Sequence, residues 1–316
     1  MKIVFAGTPA NAAQTLRALA NSAFEVVSVL TRTDAPVGRK RILTPSPVAE
    51  VAAELGIPVI KANRVDAAVL AEIAASGADL GVIVAYGALL DQLALDALPL
   101  GWINLHFSLL PKWRGAAPVQ RAIMAGDNET GVTLFQLDKG MDTGPIHVQI
   151  PTVIEPTENT ADLLRRLTQL GATGLAELLP RVAAGMAQPR PQDAELLKSL
   201  PTADKLTRED ARIDWRKSAV EIEHQIRGLN PEPMAWTTLE DETFRILEAR
   251  ALGATDWQSL GEQEPGALKV ENARTFVACG NGSLLELKLV QPAGKKPMIS
   301  SDWARGLGAG KRVIYV

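Results

Sequence analysis

Ile3-Val4-Phe5-Ala6-Gly7-Thr8-Pro9-Ala10-Asn11 decides the fold class. The first four residues are apolar and read as a short buried strand. Gly7-Thr8-Pro9 breaks it, and helical periodicity follows from Ala10 to Ala20. The alternation then repeats. Val26 to Leu30 is apolar and β-branched. Residues 46–55 read as a helix stopped by Gly56, and Pro58-Val59-Ile60 as a strand. Residues 65–75 are helical to near Gly77, and apolar runs follow at 80–85 and 102–105. Strands alternating with helices predict an α/β fold, a Rossmann-like and mostly parallel sheet covered on both faces. Ligands of such sheets bind beyond the carboxyl ends of the strands. The first turn lacks Gly-x-Gly-x-x-Gly and contains Pro9, so NAD is not expected.

The pattern changes after the last of these strands. Residues 130–137 and 146–153 read as two strands flanking a Gly- and Asp-rich loop, and residues 160–182 as a long amphipathic helix. Pro189, Pro191 and Pro201 lie among polar residues. The expected organisation is therefore a catalytic domain over 1–187, a linker over 188–204 and a second domain over 205–316. The last holds one helix near 217–228 and short β-like runs with frequent turns. It is expected to be a small β-barrel of OB-like type. Asn281-Gly282 is a type I′ hairpin signal.

The chain has 316 residues, 47% of them apolar, and a net charge of −3. Neither half is net positive, so contact with a polyanion must use a local patch. A single cysteine excludes an intrachain disulfide and a thiolate cluster, and three scattered histidines give no zinc spacing; no metal is expected. The apolar run from Leu80 stops at Asp91, short of a membrane span, and the N-terminal apolar run is too short for a signal peptide. A cytoplasmic, monomeric protein without a membrane partner is the expectation.

The chemistry concentrates in Asn104, His106 and Asp142. Asn104 and His106 are two apart, so on a strand they share a face. An amide, an imidazole and a carboxylate suit acyl transfer to an amine, as oxyanion partner, proton handler and orienting group. Two of the three have a plainer alternative: His106 as a core histidine satisfied by a carbonyl, and Asp142 as a loop aspartate making an Asx-turn. Ser108 and Pro111 mark an abrupt turn out of the strand, where Pro111 admits a cis bond. Leu109 and Leu110 place apolar side chains beside the polar cluster, which suits a flat organic cofactor.

The run Asn104-Leu105-His106-Phe107-Ser108-Leu109-Leu110-Pro111-Lys112-Trp113-Arg114-Gly115-Ala116-Ala117-Pro118-Val119-Gln120 resembles the signature of folate-dependent formyltransferases. Gly131-Val132-Thr133 and Met141-Asp142-Thr143-Gly144 follow at family-like spacing, and Ala211-Arg212-Ile213-Asp214-Trp215, Asn230-Pro231 and Gln291-Pro292-Ala293-Gly294-Lys295-Lys296 extend the match into the second domain. Within that family the chain is most similar to the branch whose acceptor is initiator methionyl-tRNA. The resemblance implies transfer of a formyl group from 10-formyltetrahydrofolate to the α-amino group of the methionine. It implies Asn104, His106 and Asp142 as the catalytic trio. It places the folate against Ser108, Leu109, Leu110 and Pro111, with Val84, Ala85, Tyr86 and Gly87 contributing from another strand end. It further implies tRNA contacts at Arg39, Lys40 and Arg41 in the loop after the second strand, and at Lys205, Lys295 and Lys296 in the second domain. Lys40 departs from the family's usual glycine, and Thr33 from its frequent proline, which bears on the backbone of that loop. The alternatives are formyl transfer to an amino sugar nucleotide and hydrolysis of formyltetrahydrofolate.

Overall fold

β1 (Lys2–Gly7) forms because both of its faces are covered, and Ile3, Val4, Phe5 and Ala6 are fully buried. The computed structural model describes residues 1–38, 40–253, 264–307 and 313–316. The chain divides into two compact units, one of residues 1–118, 129–153 and 164–203, the other of residues 119–128, 154–163 and 204–316. Arg39 lies outside the described residues.

After β1 come α1 (Ala10–Ala20), β2 (Glu25–Thr31), β3 (Ala35–Val37), β4 (Ile42–Thr44), α2 (Pro47–Glu54), β5 (Val59–Lys61), α3 (Ala67–Ala75) and β6 (Leu80–Val84). Then follow α4 (Gln92–Leu95), β7 (Trp102–His106), β8 (Arg114–Gly115), α5 (Pro118–Met124), β9 (Glu129–Gln136), β10 (Ile146–Val153), α6 (Thr160–Ala183), α7 (Ala194–Ser199) and β11 (Thr202–Ala203). Local chemistry sets several boundaries. Ser46 caps α2, accepting from the Ala49 amide at 3.0 Å, and Pro47 stands in its first turn. Asp66 caps α3 with bonds of 3.0 and 3.1 Å, and Gly77 leaves that helix at positive φ.

The central seven-stranded sheet runs β10-β9-β7-β6-β1-β2-β5. The strands from β7 to β5 are parallel, whereas β9 and β10 are antiparallel additions at one edge. Strand order reverses between β1 and β6, so the carboxyl ends there open a crevice. Trp102 fixes β7 against β6. Its ring lies flat on Gly81, where a Cβ would sit 1.9 Å from a ring atom, and its indole N–H donates to Ala94 O at 2.7 Å. Residues 188–203 are ordered within this unit: Arg190 bridges Ile146, and β11 pairs with β8. β3 pairs antiparallel with β4, and exposed Lys40 and Arg41 lie between them. Positive φ falls on Gly38 and Arg41 in this segment.

The second unit adds α8 (Ala219–Leu229), β12 (Trp236–Leu239), β13 (Glu242–Ala251), β14 (Leu268–Glu271), β15 (Arg274–Ala278), β16 (Leu284–Gln291), β17 (Met298–Ile299) and α9 (Ser300–Ala304). Ser218 and Glu221 form a capping box at the start of α8. Its sheet runs β12-β13-β16-β15-β14, with β17 beside β16. Asn281 and Gly282 both have positive φ between β15 and β16, as the expected hairpin turn requires. The two edges are joined through residues 313–316: Leu268 and Gly266 bond to Val313 and Tyr315, and Thr238 exchanges two backbone bonds with Val316 at 3.0 and 3.1 Å. These bonds cover part of each edge. Trp215, Phe244 and Tyr315 fill the interior together with Ile222 and Ile226 of α8.

Glu286 on β16 is buried yet ionised. Arg274 grips it with bonds of 2.7 and 2.8 Å, and Lys288 lies 2.6 Å away. The hydrogen bond from Arg274 leads in holding its carboxyl down at about 2. A depressed carboxylate stabilises the fold above its unfolded pKa and loses that contribution as pH falls through its folded value. The stability gap between wild type and Glu286→Gln, read from urea midpoints, is therefore expected to be full at neutral pH and to close as pH falls toward about 2. A gap independent of pH would remove the ion pair from the explanation.

Candidate active site

β7 carries Asn104 and His106 to the carboxyl end of the sheet. Asn104 pairs with Ile83 on one side and Phe135 on the other, and His106 faces Thr133. The ring of His106 is buried between two oxygen atoms. Its Nε2 lies 3.0 Å from Trp113 O, and its Nδ1 lies 3.7 Å from Asp142 Oδ2. A carbonyl can only accept, so Nε2 carries the proton it shares with Trp113, and Nδ1 is the nitrogen turned to the carboxylate. At 3.7 Å that second approach is longer than a hydrogen bond.

Both oxygen atoms are presented by unusual backbone. Trp113 has φ +62° and Asp142 has φ +54°, in the left-handed region that few non-glycine residues occupy. Such conformations persist only where surrounding structure imposes them, and they gather at functional sites. The Asp142 loop is held from several directions. Asp138 accepts from the Gly140 amide and from the Thr143 hydroxyl, both at 2.9 Å. The Gly115 amide donates to Asp142 Oδ2 at 2.7 Å. The side chain of Gln192 donates to the carbonyls of Asp142 and Gly144, both at 2.9 Å.

The turn after β7 is equally constrained. The Ser108 hydroxyl donates to Lys112 O at 2.6 Å. The Thr133 hydroxyl donates to Ser108 O at 2.6 Å and accepts from the Leu110 amide at 3.1 Å. Gln149 donates to Leu110 O at 2.7 Å, and the Leu110–Pro111 bond is cis. Buried Ser108 thus spends its hydroxyl on the turn itself.

A cavity of about 420 Å³ opens beside this cluster. Asn104 and Asp142 form part of its wall together with Ala85, Tyr86 and Gly87. Val84 and residues 108–111 do not line it, and neither does His106, which stands behind its neighbours. Tyr86 contributes from a fixed position, since its hydroxyl is committed to Ala62 O at 2.7 Å. The apolar share of the wall comes from Leu89, Leu90, Leu137 and Met141, and Lys139 places a cation there. Met141 appeared in the sequence only within the Met141-Asp142-Thr143-Gly144 motif and the other four were not singled out; the apolar Leu89-Leu90 pair just past the strand was the available signal. The volume and the mixture of apolar wall and few polar groups suit a small organic molecule. Among the described residues, no cluster of His, Cys, Asp or Glu could hold a metal ion, and no helix is long and apolar enough to cross a membrane. The basic residues set apart in the sequence are elsewhere: Lys40 and Arg41 between β3 and β4, and Lys205, Lys295 and Lys296 exposed on the second unit.

Comparison with known proteins gives two matches to family models. "Formyl transferase" matches residues 1–179, and "Formyl transferase, C-terminal domain" matches residues 205–308. The chain is 48% identical over 315 residues to a methionyl-tRNA formyltransferase of Paenarthrobacter aurescens (strain TC1), with 100% of both chains covered. It is 49% identical over 315 residues to one from Arthrobacter sp. (strain FB24), again with 100% of both covered. Among solved structures, an N-formyltransferase from Helicobacter canadensis, in complex with folinic acid and dTDP-3-aminofucose, shares the fold. Its TM-score is 0.66 at 19% identity, covering 92% of this chain and 99% of that one.

Gly115 links the site to the strand beneath it. Its φ is +123°, and a Cβ there would lie 2.7 Å from Ala203 O. Gly115→Ala is expected to cost about 1–3 kcal/mol, seen as a lower midpoint in urea unfolding. An unchanged midpoint would mean that β8 and β11 are not packed this closely.

Proposed function

The chain belongs to the formyl transferase family, and on that premise we propose that it moves a formyl group from 10-formyltetrahydrofolate to the α-amino group of methionyl initiator tRNA. The observation that carries the reading is the position of His106, held between Trp113 O and Asp142 at the back of a cavity walled by Asn104. Full-length identity near 48% to methionyl-tRNA formyltransferase supports the choice of acceptor.

The folate supplies the reactive formyl carbon. The cavity beside Asn104 is large and apolar enough to take its ring system, with Ala85, Tyr86, Gly87, Leu89 and Met141 against it. Ser108, Leu109, Leu110, Pro111 and Val84 shape the strand ends that frame this space. The attacking group is the free amine of the aminoacyl end. Negative charge then develops on the formyl oxygen, and the Asn104 amide donates to it. His106 has its Nε2 proton committed to Trp113, so Nδ1 is the nitrogen that serves the reacting atoms. Asp142 keeps its carboxylate in place through the Gly115 amide and takes up the proton that the amine releases; the charge then collapses back, the bond from the formyl carbon to N10 of the folate breaks, and tetrahydrofolate leaves with a proton on N10.

The first unit carries the chemistry, and the residues from 205 onward bind the tRNA. Lys205, Lys295 and Lys296 meet phosphates there, and Arg39, Lys40 and Arg41 grip the acceptor end. A few such contacts suffice for a chain of net charge −3.

Labelled formyl transfer tests this, offered charged initiator tRNA, charged elongator tRNA or no acceptor. Transfer to the initiator alone is expected; formate released without acceptor would make the protein a hydrolase, and equal use of both tRNAs would defeat the initiator reading. Asn104→Ala, His106→Ala and Asp142→Asn should each lower kcat by about a hundred- to a thousand-fold in a folded protein. Substantial turnover in folded His106→Ala or Asp142→Asn would remove that residue from the chemistry. Neutralising Lys295 and Lys296 together should raise KM for tRNA and flatten its dependence on salt, leaving KM for the folate unchanged.

A further inference from the structure

Both polar groups that face His106 are fastened to one stretch of chain, residues 188–203. The Trp113 amide donates to Pro201 O at 3.0 Å, fixing the residue whose carbonyl meets Nε2. Gly115, which holds the Asp142 carboxylate, pairs with Ala203. Arg190 exchanges two backbone bonds with Ile146, at 2.7 and 2.8 Å, just past the Asp142 loop.

Gln192 makes the most direct of these attachments. Its side-chain amide donates both hydrogens, one to Asp142 O and one to Gly144 O. Among the described residues its buried oxygen has no hydrogen-bond partner. Two carbonyl acceptors dictate that the NH₂ group faces them, so the orientation follows from chemistry. The left-handed backbone of Asp142 needs such an external hold.

We propose that Gln192 is a positioning residue for formyl transfer: by tying down the Asp142 and Gly144 carbonyls it fixes the Asp142 carboxylate opposite His106 Nδ1. It touches neither substrate. The inference rests on the reaction assigned above, so wild-type transfer in the same assay is the first control. A wild type without transfer would defeat that assignment rather than the role of Gln192.

The test compares Gln192→Met, which keeps bulk and loses both donors, with Gln192→Glu, which keeps shape and turns donors into acceptors. Folinic acid, as an unreactive probe, counts the fraction of chains with a formed pocket. Gln192→Met is expected to lower kcat by about 10- to 100-fold, as misplacement of a reacting group does, with KM for folate and tRNA within roughly two-fold of wild type. Gln192→Glu is expected to lose more at neutral pH, where its carboxylate faces two carbonyls. Its deficit should narrow as pH falls, because a protonated carboxyl regains one donor; that of Gln192→Met should not narrow. Wild-type kcat in either variant would overturn the proposal. So would a loss that tracks only the fraction binding folinic acid, or a Gln192→Glu deficit constant with pH. If Gln192→Glu fails to fold, kcat per folinic acid site in Gln192→Met decides alone.

Discussion

An imidazole ring held between two oxygen acceptors is the constraint on which the rest of this site depends. The Trp113 carbonyl engages one nitrogen of His106 at 3.0 Å, and the Asp142 carboxylate stands 3.7 Å from the other. The first contact fixes the ring and spends Nε2. The second is longer than a hydrogen bond. Neither oxygen reaches its place by ordinary backbone, since Trp113 and Asp142 both have left-handed φ. The fold supplies the force that keeps them there, through β8 paired with β11 and through the braced β9–β10 loop. Conformational cost at the two residues is thus offset by hydrogen bonds made away from the reacting atoms.

The cavity divides its labour between walls. Asn104 and Asp142 present polar atoms from the sheet end and the β9–β10 loop, while the segment after β6 brings Leu89 and Leu90. The cavity stands at the carboxyl ends of β6 and β7, where ligands of such sheets bind.

Much of this was legible in the chain. Hydrophobic periodicity located α1 and the strands around it, because each is a local pattern sustained over several residues. The i, i+2 spacing of Asn104 and His106 marked their common face once β7 was recognised. What local pattern could not show is the part made by distant residues. Residues 188–204 read as a linker because prolines stand there among polar side chains. Yet proline lacks only a donor; its carbonyl still accepts, and Pro201 O receives the Trp113 amide. The bonds from Gln192 to Asp142 and from Arg114 to Leu197 span 50 and 83 residues, so no window of sequence contains them. The residues expected at the folate divide for a related reason, with Ala85, Tyr86 and Gly87 lining the cavity and Ser108 not. Ser108 is a polar group at a strand end, but its hydroxyl is used by Lys112 O, and the cavity wall passes to Leu89 and Met141 instead.

The path of the chain through the second unit has a consequence for how such proteins can be recombined. That unit includes residues 119–128 and 154–163 as well as everything from 204 onward. The short segments are bonded into it: Thr160 donates to Gly228 O at 2.6 Å, Arg227 donates to Glu158 O at 2.9 Å, and Gly228 is packed against Met124. A single crossover near 204 between two relatives would join one parent's α8 to the other parent's Met124, Glu158 and Thr160. The inherited module is therefore discontinuous, and an exchange that respects it must carry three pieces of chain together.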